Sequence, residues 1–137
     1  MGFLLDTNIL SELRKGTRCH ERVWRWRQRV ALEEIFISVL VVGEVRQGIE
    51  KLRPKDPRTA GHLEKWLHDV ENIYAERILP ITIGICDQWG RISPQTPLPA
   101  IDALLAATAI YHRLTLVTRN TRDVARTGAA CLNPFTS

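Results

Sequence analysis

The hydrophobic positions of this chain switch repeatedly between two periods. Phe3-Leu4-Leu5 is a short continuous apolar run, and beyond the polar Asp6-Thr7-Asn8 the apolar residues Ile9, Leu10 and Leu13 recur at helical spacing. A run of this length reads as a buried strand, and the wider spacing reads as a helix. The pattern predicts a helix over 8–14, stopped by Gly16, and a second over 21–30 with Val23, Trp26 and Val30 on one face. Ile35-Phe36-Ile37 makes a second strand, and Ser38 suits the N-cap of a helix over 39–52. Residues 51–58 are charged and turn-rich, with Pro54 and Pro57 ending the helix. A long helix follows over 59–75 with Leu63, Trp66, Leu67 and Val70 inward, then a strand within 78–81 and a helix over 83–92. Residues 93–98 are a breaker-rich loop, and Pro99 fits the first position of a helix that runs to His112. A strand over 114–118, a short helix and a last strand near 129–132 complete the pattern. Strands alternating with helices specify a parallel sheet covered on both faces. The expected fold is therefore a three-layer α/β/α sandwich around a central parallel sheet of four to five strands.

Length and composition narrow this. With 137 residues, 45% of them hydrophobic and 25% charged, residues 1–137 are expected to form a single domain with its own core. No apolar run approaches the roughly 20 residues that span a bilayer, and the start lacks the basic-then-apolar layout of a signal peptide. A cytoplasmic protein without a membrane partner is the expectation. Cys19, Cys86 and Cys131 are odd in number and widely spaced, as reduced, mostly buried thiols would be. The four histidines show no metal-ligand spacing. A net charge of +4 is compatible with a nucleic-acid substrate and does not require one. Interleaved Trp and Arg in Trp24-Arg25-Trp26-Arg27 could stack on bases, but Trp26 falls in the apolar stripe and is more simply core.

The acids carry the chemistry. Asp6 ends the first strand, where ligands bind in open parallel sheets, although an Asp there also serves as a helix cap. Glu44 lies inside a helix among Val41, Val42, Val45 and Ile49, and an acid so embedded calls for a partner or a cation. Asp102 falls in the first turn of its helix, where the dipole favours negative charge, and Asn120 and Asp123 follow another strand. In a doubly covered sheet all of these can reach one crevice. Clustered carboxylates repel, and a divalent cation relieves the repulsion. Oxygen ligands alone select a hard ion, Mg²⁺ or Mn²⁺, suited to polarising a phosphoryl oxygen and activating water for phosphodiester hydrolysis.

Leu4-Leu5-Asp6-Thr7-Asn8, Ile37-Ser38-Val39, Gly43-Glu44-Val45 with Gly48-Ile49, the Asp102 to Ala109 stretch, Leu116-Val117-Thr118-Arg119-Asn120 and Asn133-Pro134-Phe135 occur in order along the chain. Together they resemble the PIN-domain ribonucleases, and within them the VapC toxins of bacterial type II toxin-antitoxin modules, with a layout similar to the FitB branch. The resemblance implies that Asp6, Glu44 and Asp102 are the acidic site residues, with Asp6 and Asp102 as the usual magnesium ligands. It also implies that Asn8 and Thr118 support them by hydrogen bonds. Many relatives carry a fourth acid where Asn120 stands. An amide there weakens metal affinity and leaves Asp123 as the additional ligand to examine.

These readings imply a Mg²⁺-dependent endoribonuclease acting on RNA, paired with a DNA-binding antitoxin of the VapB or FitA kind. A homodimer within a larger toxin-antitoxin assembly is expected, because Trp24, Trp66 and several aliphatic residues exceed what one small domain buries. Two other classes remain open. A haloacid-dehalogenase-type phosphatase also begins with a strand and an Asp, but needs a second Asp where Asn8 stands. A non-catalytic RNA-binding or antitoxin-binding module would bind RNA without cleaving it.

Overall fold

In a computed structural model, which describes every residue except Ser93, Gln95 and Ser137, five parallel strands form the sheet. The strands are β1 (Phe3–Leu5), β2 (Ile35–Ser38), β3 (Ile78–Leu79), β4 (Thr115–Val117) and β5 (Cys131–Leu132). They are ordered β3-β2-β1-β4-β5. Seven helices flank them among the described residues: α1 (Thr7–Leu13), α2 (Glu21–Arg29), α3 (Val39–Leu52), α4 (Pro57–Ile73), α5 (Ile83–Ile92), α6 (Ala100–His112) and α7 (Thr121–Ala125).

β1 is the centre of the sheet because it is apolar enough to be covered on both sides. Leu4 and Leu5 are fully buried, with Leu4 registered against Phe36 of β2 and Leu116 of β4. From β1 the chain first builds outward through β2 and β3, then returns to the other side for β4 and β5. The order therefore reverses between β1 and β4, and the crevice at such a switch point opens beyond the carboxyl ends of those strands. Asp6 leaves β1 at this point, and Thr118 leaves β4.

The helices set the remaining site positions. Ser38 is fully buried and its hydroxyl accepts the Leu40 N–H at 3.1 Å, which fixes the start of α3. α3 packs on α4, and Arg46 and Arg53 of the α3 end bridge Glu50 to Glu64 across that contact. These arginines hold the Glu50 carboxyl down at about 2. α6 is apolar almost all round, with Ala103, Leu105, Ala106, Ala107, Thr108 and Ala109 buried. It has to be covered on more than one side, and α5 supplies a second small core of Ile85 and Ile92 against Ala107. The helices approach closely enough that a side chain at Gly84 would meet the Tyr111 ring at 2.3 Å.

Several boundaries differ from the sequence pattern. The charged linker is shorter than expected: α3 ends at Leu52 as the pattern predicts, but α4 begins at Pro57 itself, capped by Asp56 through its bond from Thr59 N–H at 3.1 Å. α4 ends at Ile73, short of the predicted 75. Pro99 is the N-cap of α6 and not its first residue. The strand predicted within 78–81 keeps only Ile78–Leu79, and the loop predicted at 93–98 lies partly outside the described residues. Cys19 is buried, Cys131 half-buried and Cys86 exposed, so the expectation of mostly buried thiols fails at Cys86 on the outer face of α5; all three are free. Among the described residues no helix is long and apolar enough to cross a membrane.

The central position of β1 makes a stability prediction. Leu4→Ala removes a fully buried side chain that the sheet on either side prevents from being refilled, at a cost of about 2 to 5 kcal/mol by urea denaturation.

Candidate active site

Asp6 performs the role of a cap and stands in the cleft at once. Its Oδ1 accepts the Thr7 N–H at 2.7 Å, the local bond expected of an acid at a helix start. Its Oδ2 accepts the Thr118 hydroxyl at 2.8 Å, a contact across the switch point between β1 and β4. Thr118 is buried, and its oxygen in turn accepts the Asn120 N–H at 3.1 Å. The Asp6 backbone N–H continues the ladder by donating to Val117 carbonyl oxygen at 3.0 Å. Asp6 is thus held from its own helix and from the neighbouring strand, with little freedom of rotation.

Glu44 comes from α3 and is tied to α1, because the Thr7 hydroxyl donates to Glu44 Oε1 at 2.5 Å. Asp102 enters from the first turn of α6. Burial raises its pKa above the usual carboxylate range, and the negative charges of Asp6 and Glu44 raise it further. Every influence on Asp102 acts in the same direction, which shows that the three acids share one electrostatic environment.

A cleft of about 420 Å³ contains all three, lined by Asp6, Thr7, Asn8, Glu44, Asp102, Thr118 and Asn120. Gln47, Gly48, Lys51 and Arg119 complete its wall. A small cavity behind it, between Asp6, Asp102 and Val124, has a volume of about 10 Å³. Asn8 and Asn120 are both exposed at the cleft. Asp123 is not brought to it: that residue sits in the first turn of α7, half-buried, as a dipole-compensating acid would. Two cleft cations, Lys51 and Arg119, were not singled out by the sequence reading. Lys51 lies in the last turn of α3, within the helix that the pattern predicts over 39–52, and that turn borders the cleft.

The donor set suits a hard divalent ion, since its oxygens are carboxylates and it lacks thiolates and imidazoles. Among the described residues no three His, Cys, Asp or Glu are grouped tightly enough to enclose an ion by themselves.

The fold is an α/β domain with an all-parallel sheet and an acid at or inside the start of each of three helices. The chain belongs to the PIN domain family, which matches residues 3–129. It is similar to Toxin FitB of Neisseria gonorrhoeae, at 31% identity over 96% of this chain and 97% of the relative. VapC ribonuclease Y4jK of Sinorhizobium fredii is 26% identical over 96% of each chain. A chain in the structure of FitAB bound to IR36 DNA fragment matches with a TM-score of 0.86 and 29% identity, over 97% of this chain and 95% of that one.

The raised pKa of Asp102 has a defined sign. The folded protein takes up the Asp102 proton more readily than the unfolded chain, so stability falls as pH rises from the ordinary carboxylate range through the raised value. Above that value the buried charge is a standing penalty. Asp102→Asn is therefore expected to raise Tm at neutral pH in chelator. A lower Tm in chelator would show that the acid is not under repulsion.

Proposed function

We propose that the chain is a Mg²⁺-dependent endoribonuclease, with Mn²⁺ able to replace Mg²⁺, and that it works as the toxin of a type II toxin-antitoxin module. The observation that carries this reading is the convergence of Asp6, Glu44 and Asp102 on one solvent-open cleft with cations on its rim. Three acids without a cation repel one another, and an RNA backbone is the polyanionic substrate that Lys51 and Arg119 would attract. The names of the relatives, a toxin and a ribonuclease, support the same reading.

In this reading Asp6 and Asp102 hold the ion, with Glu44 as the third acid. A bound divalent ion supplies a Lewis acid for the phosphoryl oxygen and acidifies water for attack. The protein's own part is positional. Thr118 and the α1 N-terminus fix both oxygens of Asp6, and Thr7 fixes Glu44. Because these carboxylates are already oriented, little reorganisation remains when charge develops on the phosphate. Asn8 and Asn120 offer neutral amides to substrate or solvent at the cleft.

The partner is a DNA-binding antitoxin of the VapB or FitA kind, in keeping with the FitAB match bound to DNA. It would silence the site by bringing an Arg or Lys to the acids. We also place the chain in a homodimer within that assembly. Ile83 on α5 is 89% exposed and Tyr111 on α6 is 51% exposed, and this is the apolar surface that we assign to the second copy. No observation favours a phosphatase of the haloacid-dehalogenase type, whose second Asp is replaced by Asn8.

Asp6→Ala is expected to abolish RNA cleavage and growth arrest while the circular dichroism spectrum stays native. Mg²⁺-dependent cleavage by pure, folded Asp6→Ala protein would overturn the assignment. Calorimetry on the RNA-free wild type should detect one Mg²⁺ site, and Asn120→Asp should tighten it without loss of activity. Two tight sites in the wild type would refute the one-ion picture.

A further inference from the structure

The terminal Asn133-Pro134-Phe135 segment takes no part in the acid cluster, yet it reaches the cleft through one contact. The Arg119 guanidinium carbon lies 4.0 Å from the centre of the Phe135 ring. A second ring contact and two backbone bonds hold this segment. Phe135 N–H donates to Asn133 Oδ1 at 2.9 Å, the His20 ring lies 5.0 Å away, and Arg22 donates to the Thr136 carbonyl at 3.1 Å. The C-terminal segment is thereby fastened to the start of α2.

Arg119 itself is exposed, lines the acid cleft, and directly follows the threonine that holds Asp6. Among the described residues no carboxylate pairs with it, unlike Arg46 and Arg53, which are committed to Glu50 and Glu64. A guanidinium stacked on an aromatic ring uses its face and keeps its in-plane N–H groups for an anion. Among the described residues no aromatic ring braces Lys51, the other cation of the cleft.

We propose that the Arg119–Phe135 stack is the phosphate grip of this cleft: Arg119 binds a backbone phosphate of single-stranded RNA beside the cleaved bond, and Phe135 is the positioning residue that holds Arg119 there. The inference rests on the ribonuclease reading and adds to it the residues that seat the substrate. Phe135 acts from the far end of the sequence, through the face of one side chain.

The test uses the full-length protein and a single-stranded oligoribonucleotide. Binding is measured by fluorescence anisotropy in chelator across a salt series, and cleavage is measured with Mg²⁺. Arg119→Gln should weaken binding and flatten the slope of log affinity against log salt by about 0.7, the loss of one phosphate contact on a single strand. Phe135→Leu keeps an apolar side chain and removes the ring, and should raise Kd and KM by about two- to five-fold with kcat little changed. Phe135→Trp should restore wild-type values. In the Arg119→Gln background, Phe135→Leu should add nothing, because its effect passes through Arg119. Additive losses, an unchanged salt slope for Arg119→Gln, or wild-type KM for Phe135→Leu would overturn the grip while leaving the ribonuclease reading intact. A wild type that neither binds nor cleaves the RNA would overturn both.

Discussion

Three carboxylates within reach of one another's charge are the constraint around which this fold is arranged. Asp6, Glu44 and Asp102 come from three different segments, and the rise in the Asp102 pKa records both its burial and the two charges it faces. A protein can hold such a group only if the elements that carry it are fixed by something stronger. Here that is the apolar sheet centre: Leu4, Leu5, Leu116 and Val117 are buried in adjacent parallel strands, and Asp6 and Thr118 follow them directly. The reversal of strand order between β1 and β4 opens the crevice, and burial on both faces keeps it rigid.

Hydrogen bonds then turn a repulsive cluster into an ordered one. Threonine hydroxyls reach Asp6 and Glu44 from other segments, and neither threonine adds charge. Neutral donors hold the carboxylates in place without cancelling the field that attracts a cation. An Arg or Lys in the same role would pair with the acids and close the site to an ion. This is also why a basic side chain delivered by a partner is a natural inhibitor of such a cleft.

Much of this was legible from local pattern. Strand, helix and cap signals sufficed at β1, β2, α3 and α6, because each combines a clear apolar period with a polar residue at its start. The identity of the acids was less so. Asp6 satisfies every criterion for a helix cap and is one, and the bond of its second oxygen to Thr118 across the switch point is what local pattern does not show. Lys51 falls in the helix that the pattern predicts, but nothing near it in sequence places it beside acids from other segments; the prolines obscure only the start of α4, which begins at Pro57. The stack of Arg119 on Phe135 leaves no local signature, since neither residue's neighbours in sequence indicate the other. Asp123, which the sequence leaves open between a ligand and a helix-start acid, lies in the first turn of α7 and outside the cleft lining.

The central claim is that these acids direct water, with a divalent ion, onto an RNA phosphate. Cleavage of a defined oligoribonucleotide in heavy-oxygen water, with the products analysed by mass spectrometry, tests it most directly. The account predicts one heavy oxygen in the new terminal phosphate of the fragment that keeps it and none in the fragment that ends in hydroxyl, with both fragments formed only when Mg²⁺ or Mn²⁺ is present. Products ending in a cyclic phosphate, formed without incorporation and undiminished by chelator, would show that the RNA's own hydroxyl is the nucleophile and would contradict it.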